Sequence, residues 1–189
     1  MIGQDNWTYI YGGVNEDKKN QKFYDGMYLC RAPHGSELEL EKYEYWNGKA
    51  FTPERIAPTQ ETAVLGPGST GGMVTWNPYL KKYLYIYTSK CFSCPNSSCG
   101  WTLMRILAFN VIIGRTADKP EGPWSPHFKI KGVADRAFVY CPSQQYRYDP
   151  GGKTLVISYT AHPNQIFALR IVSGIYDIVV IGDGENAFD

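Results

Sequence analysis

Glu61 and Asp135 are the two carboxylates whose sequence neighbours suit catalysis. Glu61 sits in a connector, Gln60-Glu61-Thr62, ahead of the glycine-rich stretch Gly66 to Gly72, and Asp135, next to Arg136, leads into the run Phe138-Val139-Tyr140-Cys141-Pro142. Two carboxyl groups roughly 5 to 9.5 Å apart across a glycosidic bond supply the proton donor and the base or nucleophile of sugar hydrolysis. A carboxylate beside an arginine is held ionised, which suits a base and not a donor, and a plain Asp135–Arg136 ion pair is the simpler reading. Thr70, Arg136, Tyr140 and Gln144 bring hydroxyl, guanidinium and amide groups to the same connectors and strands, so they are the substrate-binding candidates.

The other acidic residues read differently. Glu16-Asp17-Lys18 and Glu37 to Lys42 mix both signs and are expected on exposed faces or loops, and Asp118 and Glu121 flank Pro120 in a turn where capping outweighs catalysis. Gly66-Pro67-Gly68-Ser69-Thr70-Gly71-Gly72 lacks the Gly-Lys-Ser/Thr ending of a phosphate loop and no helix follows, so it is expected to be a connector. Cys91-x2-Cys94-x4-Cys99 offers three zinc-type ligands without a fourth, since His34, His127 and His162 lie far away in sequence. No metal and no cofactor are expected. A surface hairpin with one local disulfide suits the segment, a normally untranslated stretch retained in error is the alternative, and with five cysteines in all, one is left over if the others pair.

These residues are positioned by strands. Short alternating or β-branched runs separated by Gly, Pro, Asn and Asp recur along the chain: WTYIYGG, GMYLCRA, KYEYW, GGMVTW, KKYLYIYT, NVIIGRT, HFKIK, FVYCP, KTLVISYT, QIFALRIV and YDIVVIG. That is an all-β pattern. Trp101 to Phe109 is the best helical stretch, and it lies inside the cysteine-rich insert, Ser89 to Phe109. Trp76-Asn77-Pro78 through Tyr87-Thr88 matches Tyr148-Asp149-Pro150 through Tyr159-Thr160 at a spacing of 148 − 76 = 72 residues. Removing an insert of about 20 residues leaves about 50, the period of a four-stranded propeller blade. Tyr9-Ile10-Tyr11 repeats the Tyr85-Ile86-Tyr87 strand, which makes three blade-like units, at about 7–60, 68–131 and 137–181, in one partial propeller domain over 1–189. Between two strands, Asp118, Pro120, Gly122 and Pro123 form a rigid corner ahead of Trp124, a packing wedge.

Composition narrows the partners. A formal net charge of +1, with no block of like charges, gives no electrostatic reason to bind nucleic acid. The longest apolar stretch, Ile106 to Ile113, is broken by Asn110 and falls far short of the roughly 20 residues of a spanning helix, so no membrane anchor is expected. MIGQDNWTYIYGG has neither a basic leader nor an apolar core of the secretory type. Fifteen tyrosines and five tryptophans suit strand packing first, and they also suit flat platforms for sugar rings.

In order along nearly the whole chain, the YIYGG strand, Tyr28-Leu29-Cys30-Arg31-Ala32, Tyr43-Glu44-Tyr45-Trp46-Asn47-Gly48, Met73 to Tyr87, Gly114 to Ser125 and Val156 to Thr160 resemble a five-bladed propeller family of unknown function. That family is related in architecture to glycoside hydrolase family 43 arabinanases, and some members resemble endo-acting D-arabinan hydrolases. The resemblance implies an incomplete five-bladed β-propeller of antiparallel four-stranded sheets, a furanose-containing polysaccharide as substrate or ligand, and a secreted or cell-surface parent protein. The family's Gly-Thr-Asp-Leu-Gly-like and Gly-Asp-Thr-like strands are absent here, so the expected product is a truncated, catalytically incomplete module, which a gene-model fragment, a pseudogene or a chain that self-associates through its unpaired blades to complete the ring would each explain. A noncatalytic carbohydrate- or protein-binding propeller is the alternative.

Overall fold

The computed structural model describes residues 1, 3–13, 26–66, 72–88, 111–132, 137–163 and 172–180. Among these residues eleven strands run β1 (Trp7–Gly13), β2 (Met27–Pro33), β3 (Glu44–Trp46), β4 (Phe51–Thr52), β5 (Met73–Asn77), β6 (Lys82–Thr88), β7 (Val111–Ala117), β8 (Phe128–Gly132), β9 (Ala137–Gln144), β10 (Thr154–Pro163) and β11 (Val172–Val180). Helical structure among the described residues is limited to 3-10 turns at Leu40–Lys42 and Tyr146–Tyr148. The protein is therefore all-β, as the alternation and turn residues require. Its strands form antiparallel sheets in the orders β1-β2-β3-β4, β5-β6-β7-β8 and β9-β10-β11. The cysteine-rich insert, with Cys91, Cys94, Cys99 and the helical stretch at 101–109, lies outside the described residues.

The chain divides into two compact units, Met1–Thr70 with Ala117–Trp124, and Gly71–Thr116 with Ser125–Asp189. In the first, β1 does not open its sheet bare. The Met1 amine donates to Tyr9 O, Tyr9 N–H donates back to Met1 O at 2.7 Å, and Gly3 N–H reaches Trp7 O at 2.7 Å. Residues on both sides of an Asp5-Asn6 turn thus pair as a hairpin. The turn is possible because Asn6 takes a left-handed φ of 63°, a conformation asparagine tolerates better than most residues. Lys81 (φ 53°) and Gly152 (φ 78°) introduce β6 and β10 in the same left-handed way.

The corner at Trp124 packs within this first unit. Tyr11 OH donates to Pro120 O at 2.8 Å, and its ring meets Trp124 edge-on with centroids 6.5 Å apart. Asp118 is exposed and Glu121 half-buried in the turn, consistent with a corner role. Gly48, φ 93°, turns the β3–β4 hairpin against the carbonyl of Glu61, where a Cβ would collide with backbone.

The second unit is organised by β6, of which every residue after Lys82 is buried. Leu84 and Ile86 pack with Ile112 of β7 and with Leu155, Ile157 and Tyr159 of β10, flanked by Tyr79, Leu80, Phe128 and Ile130. Fully burying one such leucine or isoleucine contributes roughly 1.5–3 kcal/mol, so this cluster holds the two sheets of the unit together. On the alternate positions of β6, Tyr85 and Tyr87 stack in parallel with centroids 4.3 Å apart, and Arg115 Nε donates to Tyr87 OH at 2.8 Å. Burial pushes the Tyr85 phenol well above its ordinary range.

The β9–β10 ladder is interrupted. Ser143 pairs Ser158 and Tyr140 pairs Thr160, so Cys141 and Pro142 together oppose Tyr159 in a bulge, with Cys141 at φ 46°. A bulge whose first residue is left-handed ordinarily carries glycine there.

Candidate functional site

Among the described residues a dense set of chemistry-bearing side chains lies on one face of the N-terminal sheet, and strand register puts it there. Tyr9 pairs Arg31, Arg31 pairs Glu44, and Trp46 pairs Phe51. Directly opposed residues share a face, as do residues two apart on a strand. Trp7, Tyr9, Arg31, Glu44, Trp46 and Phe51 therefore form one continuous row.

Arg31 is its centre. The guanidinium lies 4.1 Å from the Trp7 ring centroid and 4.0 Å from that of Phe51, sandwiched between two aromatic faces. Its Nε and Nη2 both donate to Glu44 Oε2, at 2.8 and 2.7 Å. Tyr9 OH donates to Asp5 Oδ2 at 2.7 Å, and burial, then the Asp5 carboxylate, raise the Tyr9 phenol, against an opposing pull from Arg31. Tyr9 stays protonated as a donor. Phe51 also meets Tyr9 at 6.0 Å and Trp46 at 5.2 Å. Asp5 and Glu44 each accept from a fixed donor, so the arrangement holds polar groups beside half-buried rings.

A second polar cluster lies where solvated charges were expected. Glu37 Oε1 accepts from Thr8 Oγ1 at 2.5 Å and Gly35 N–H at 3.1 Å, and meets His34 Nδ1 at 3.0 Å. The Thr8 and Gly35 hydrogen bonds hold its carboxyl down to about 2. Such a carboxylate is a poor base, and the cluster acts as a loop clasp.

Of the residues selected from sequence, Glu61, Tyr140 and Gln144 are described. Gln144 ends β9 buried, and its Oε1 accepts from Thr75 Oγ1 of β5 at 2.7 Å, a satisfied pair joining the first strands of the two sheets in the second unit. Tyr140 lies on β9 opposite Thr160, and the bulge takes up one residue between it and Gln144, so the even spacing of a regular strand is lost. Glu61 is exposed in a turn of the first unit. Thr70, Asp135 and Arg136 lie outside the described residues.

Arg31 and Glu44 were legible only as members of the YLCRA and YEYW runs. The signal that could have singled them out is their alternation with aromatics, but the match between strands needs the register. Among the described residues no group of three His, Cys, Asp or Glu is placed to hold a metal ion, and no helix is long and apolar enough to cross a membrane. No family model matches the chain, and no curated protein matches it.

Proposed function

We propose that this chain is a propeller-type, glycoside-hydrolase-like module that binds a furanose-containing polysaccharide without cleaving it efficiently. The observation that carries the reading is the row Trp7, Arg31, Phe51 and Trp46 with Glu44: half-buried rings beside a fixed guanidinium–carboxylate pair. Rings offer faces for sugar C–H groups, and the charged pair offers hydrogen bonds to hydroxyls. The sequential sheets and the repeated Asn/Asp-Pro turns support the propeller part of the proposal. Hydrolysis needs both leaving-group protonation and attack. Asp5 and Glu44 serve as acceptors, which leaves the donor's role unfilled in this cluster.

Incubation with arabinan, xylan and arabinogalactan should give no appreciable reducing sugar, while gels containing the binding polysaccharide should retard the protein. Turnover abolished by Glu61→Gln or Asp135→Asn, with an unchanged circular dichroism spectrum, would sink the noncatalytic part of this reading. Gel filtration separates a monomer from the self-associated form that unpaired blades imply.

A further inference from the structure

Among the described side chains the other tyrosines are buried or half-buried, but Tyr146 and Tyr148 are each 64% exposed on the connection between β9 and β10. The matching hairpin shows what ordinary packing would look like. There Trp76, the counterpart of Tyr148, rests edge-on against Tyr83 at 5.0 Å, while Tyr79 and Leu80 pack on the core. In the β9–β10 connection the 3-10 turn at Tyr146–Tyr148 lifts both rings into solvent instead.

The turn holding them is pinned at each end. Gln145 N–H donates to Val156 O at 2.7 Å and its Nε2 to Ser158 Oγ at 2.7 Å, while Tyr148 N–H closes onto Gln145 O at 3.1 Å. On the other side Asp149 accepts from Gly151 N–H at 3.0 Å and Thr154 N–H at 2.6 Å. Those backbone donors hold the Asp149 carboxyl below its ordinary range. The rings are thus presented by an anchored turn, so a ligand ordering them loses little backbone entropy. Between them Arg147 is exposed, its guanidinium carbon 5.6 Å from the Tyr148 centroid and its Nη2 3.5 Å from Gln145 Oε1.

We propose that Tyr146, Arg147 and Tyr148 of the second unit form a saccharide-binding subsite, in which sugar rings stack on the tyrosines and the sugar hydroxyls accept from Arg147. Phenol rings suit this ligand better than a purely apolar one, because each has a face for C–H groups and a hydroxyl at its rim. The subsite deepens the polysaccharide-binding reading and rests on it.

Affinity electrophoresis of the full chain in gels containing arabinan or xylan tests the assignment. The double variant Tyr146→Ala, Tyr148→Ala should raise the apparent Kd at least about tenfold, the equivalent of some 1.4 kcal/mol. Tyr148→Phe should keep most of the retardation, and Arg147→Ala should lose part of it. These residues are exposed, so circular dichroism should be unchanged. Wild-type retardation that the double variant fully retains would overturn the subsite and leave the polysaccharide reading standing. No retardation of the wild type in any polysaccharide would overturn both.

Discussion

Asn77 Nδ2 donates to the carbonyl oxygen of Gly152 at 2.9 Å, tying together the turns of two hairpins that repeat in sequence. Asn77 is fully buried, and its Oδ1 accepts from Leu80 N–H at 2.9 Å. One amide thus closes its own turn and clamps the next. Gly152 has a left-handed φ of 78°, and a Cβ there would lie 2.8 Å from Asn77 Oδ1.

Replacing Asn77 by Ala removes both hydrogen bonds and leaves buried backbone groups unsatisfied, an expected loss of about 2–4 kcal/mol. Asn77→Asp keeps the Leu80 acceptor but sets a carboxylate against the Gly152 carbonyl, so its deficit should shrink on acidification. Gly152→Ala adds backbone strain of about 1–3 kcal/mol to the steric conflict. Urea denaturation of the three variants checks these losses, and wild-type stability in Asn77→Ala would refute the clamp.

Cys141 occupies the left-handed position of the β9 bulge with an exposed side chain. Cys141→Gly should therefore stabilise the protein by roughly 0.5–1 kcal/mol, provided relief of the φ strain exceeds the entropy that glycine adds to the unfolded chain. Thermal melts under reducing conditions read the effect directly, and a lower Tm would reverse the conclusion.

Glu37 gives a pH dependence with a defined sign. Its folded-state carboxyl is depressed to about 2 from 4.5, chiefly by Thr8 and Gly35. A depressed carboxylate contributes stability that is fully present above the unfolded value and lost as pH falls through the folded one. Wild-type stability should therefore decline between about pH 4.5 and 2. Glu37→Gln should flatten that decline, as measured by denaturation midpoints at a series of pH values.

Arg31→Lys tests the aromatic sandwich. Lysine keeps the charge but loses the planar fork that meets Glu44 and the flat surface between Trp7 and Phe51. The expected cost is about 1–2 kcal/mol, given half-exposed partners, with altered tryptophan fluorescence from Trp7. Unchanged stability and emission would mean that the stack contributes nothing.

Periodicity and turn chemistry are local properties, so the sequence alone determined that this is an all-β chain with hairpins at Trp76–Lys82 and Tyr148–Thr154. Alternation every second residue needs only a pleated strand, and Asn77 and Asp149 close their own turns whatever lies around them. Tertiary structure decided everything that depends on register. Trp7, Arg31, Glu44 and Phe51 share a face only because four strands pair with particular offsets. The β9 bulge changes the spacing of Tyr140 and Gln144 without any glycine to announce it. Asn77 and Gly152, 75 residues apart, meet because two apolar sheet faces bury each other, and that burial is a sum over the whole core which no short stretch of sequence contains.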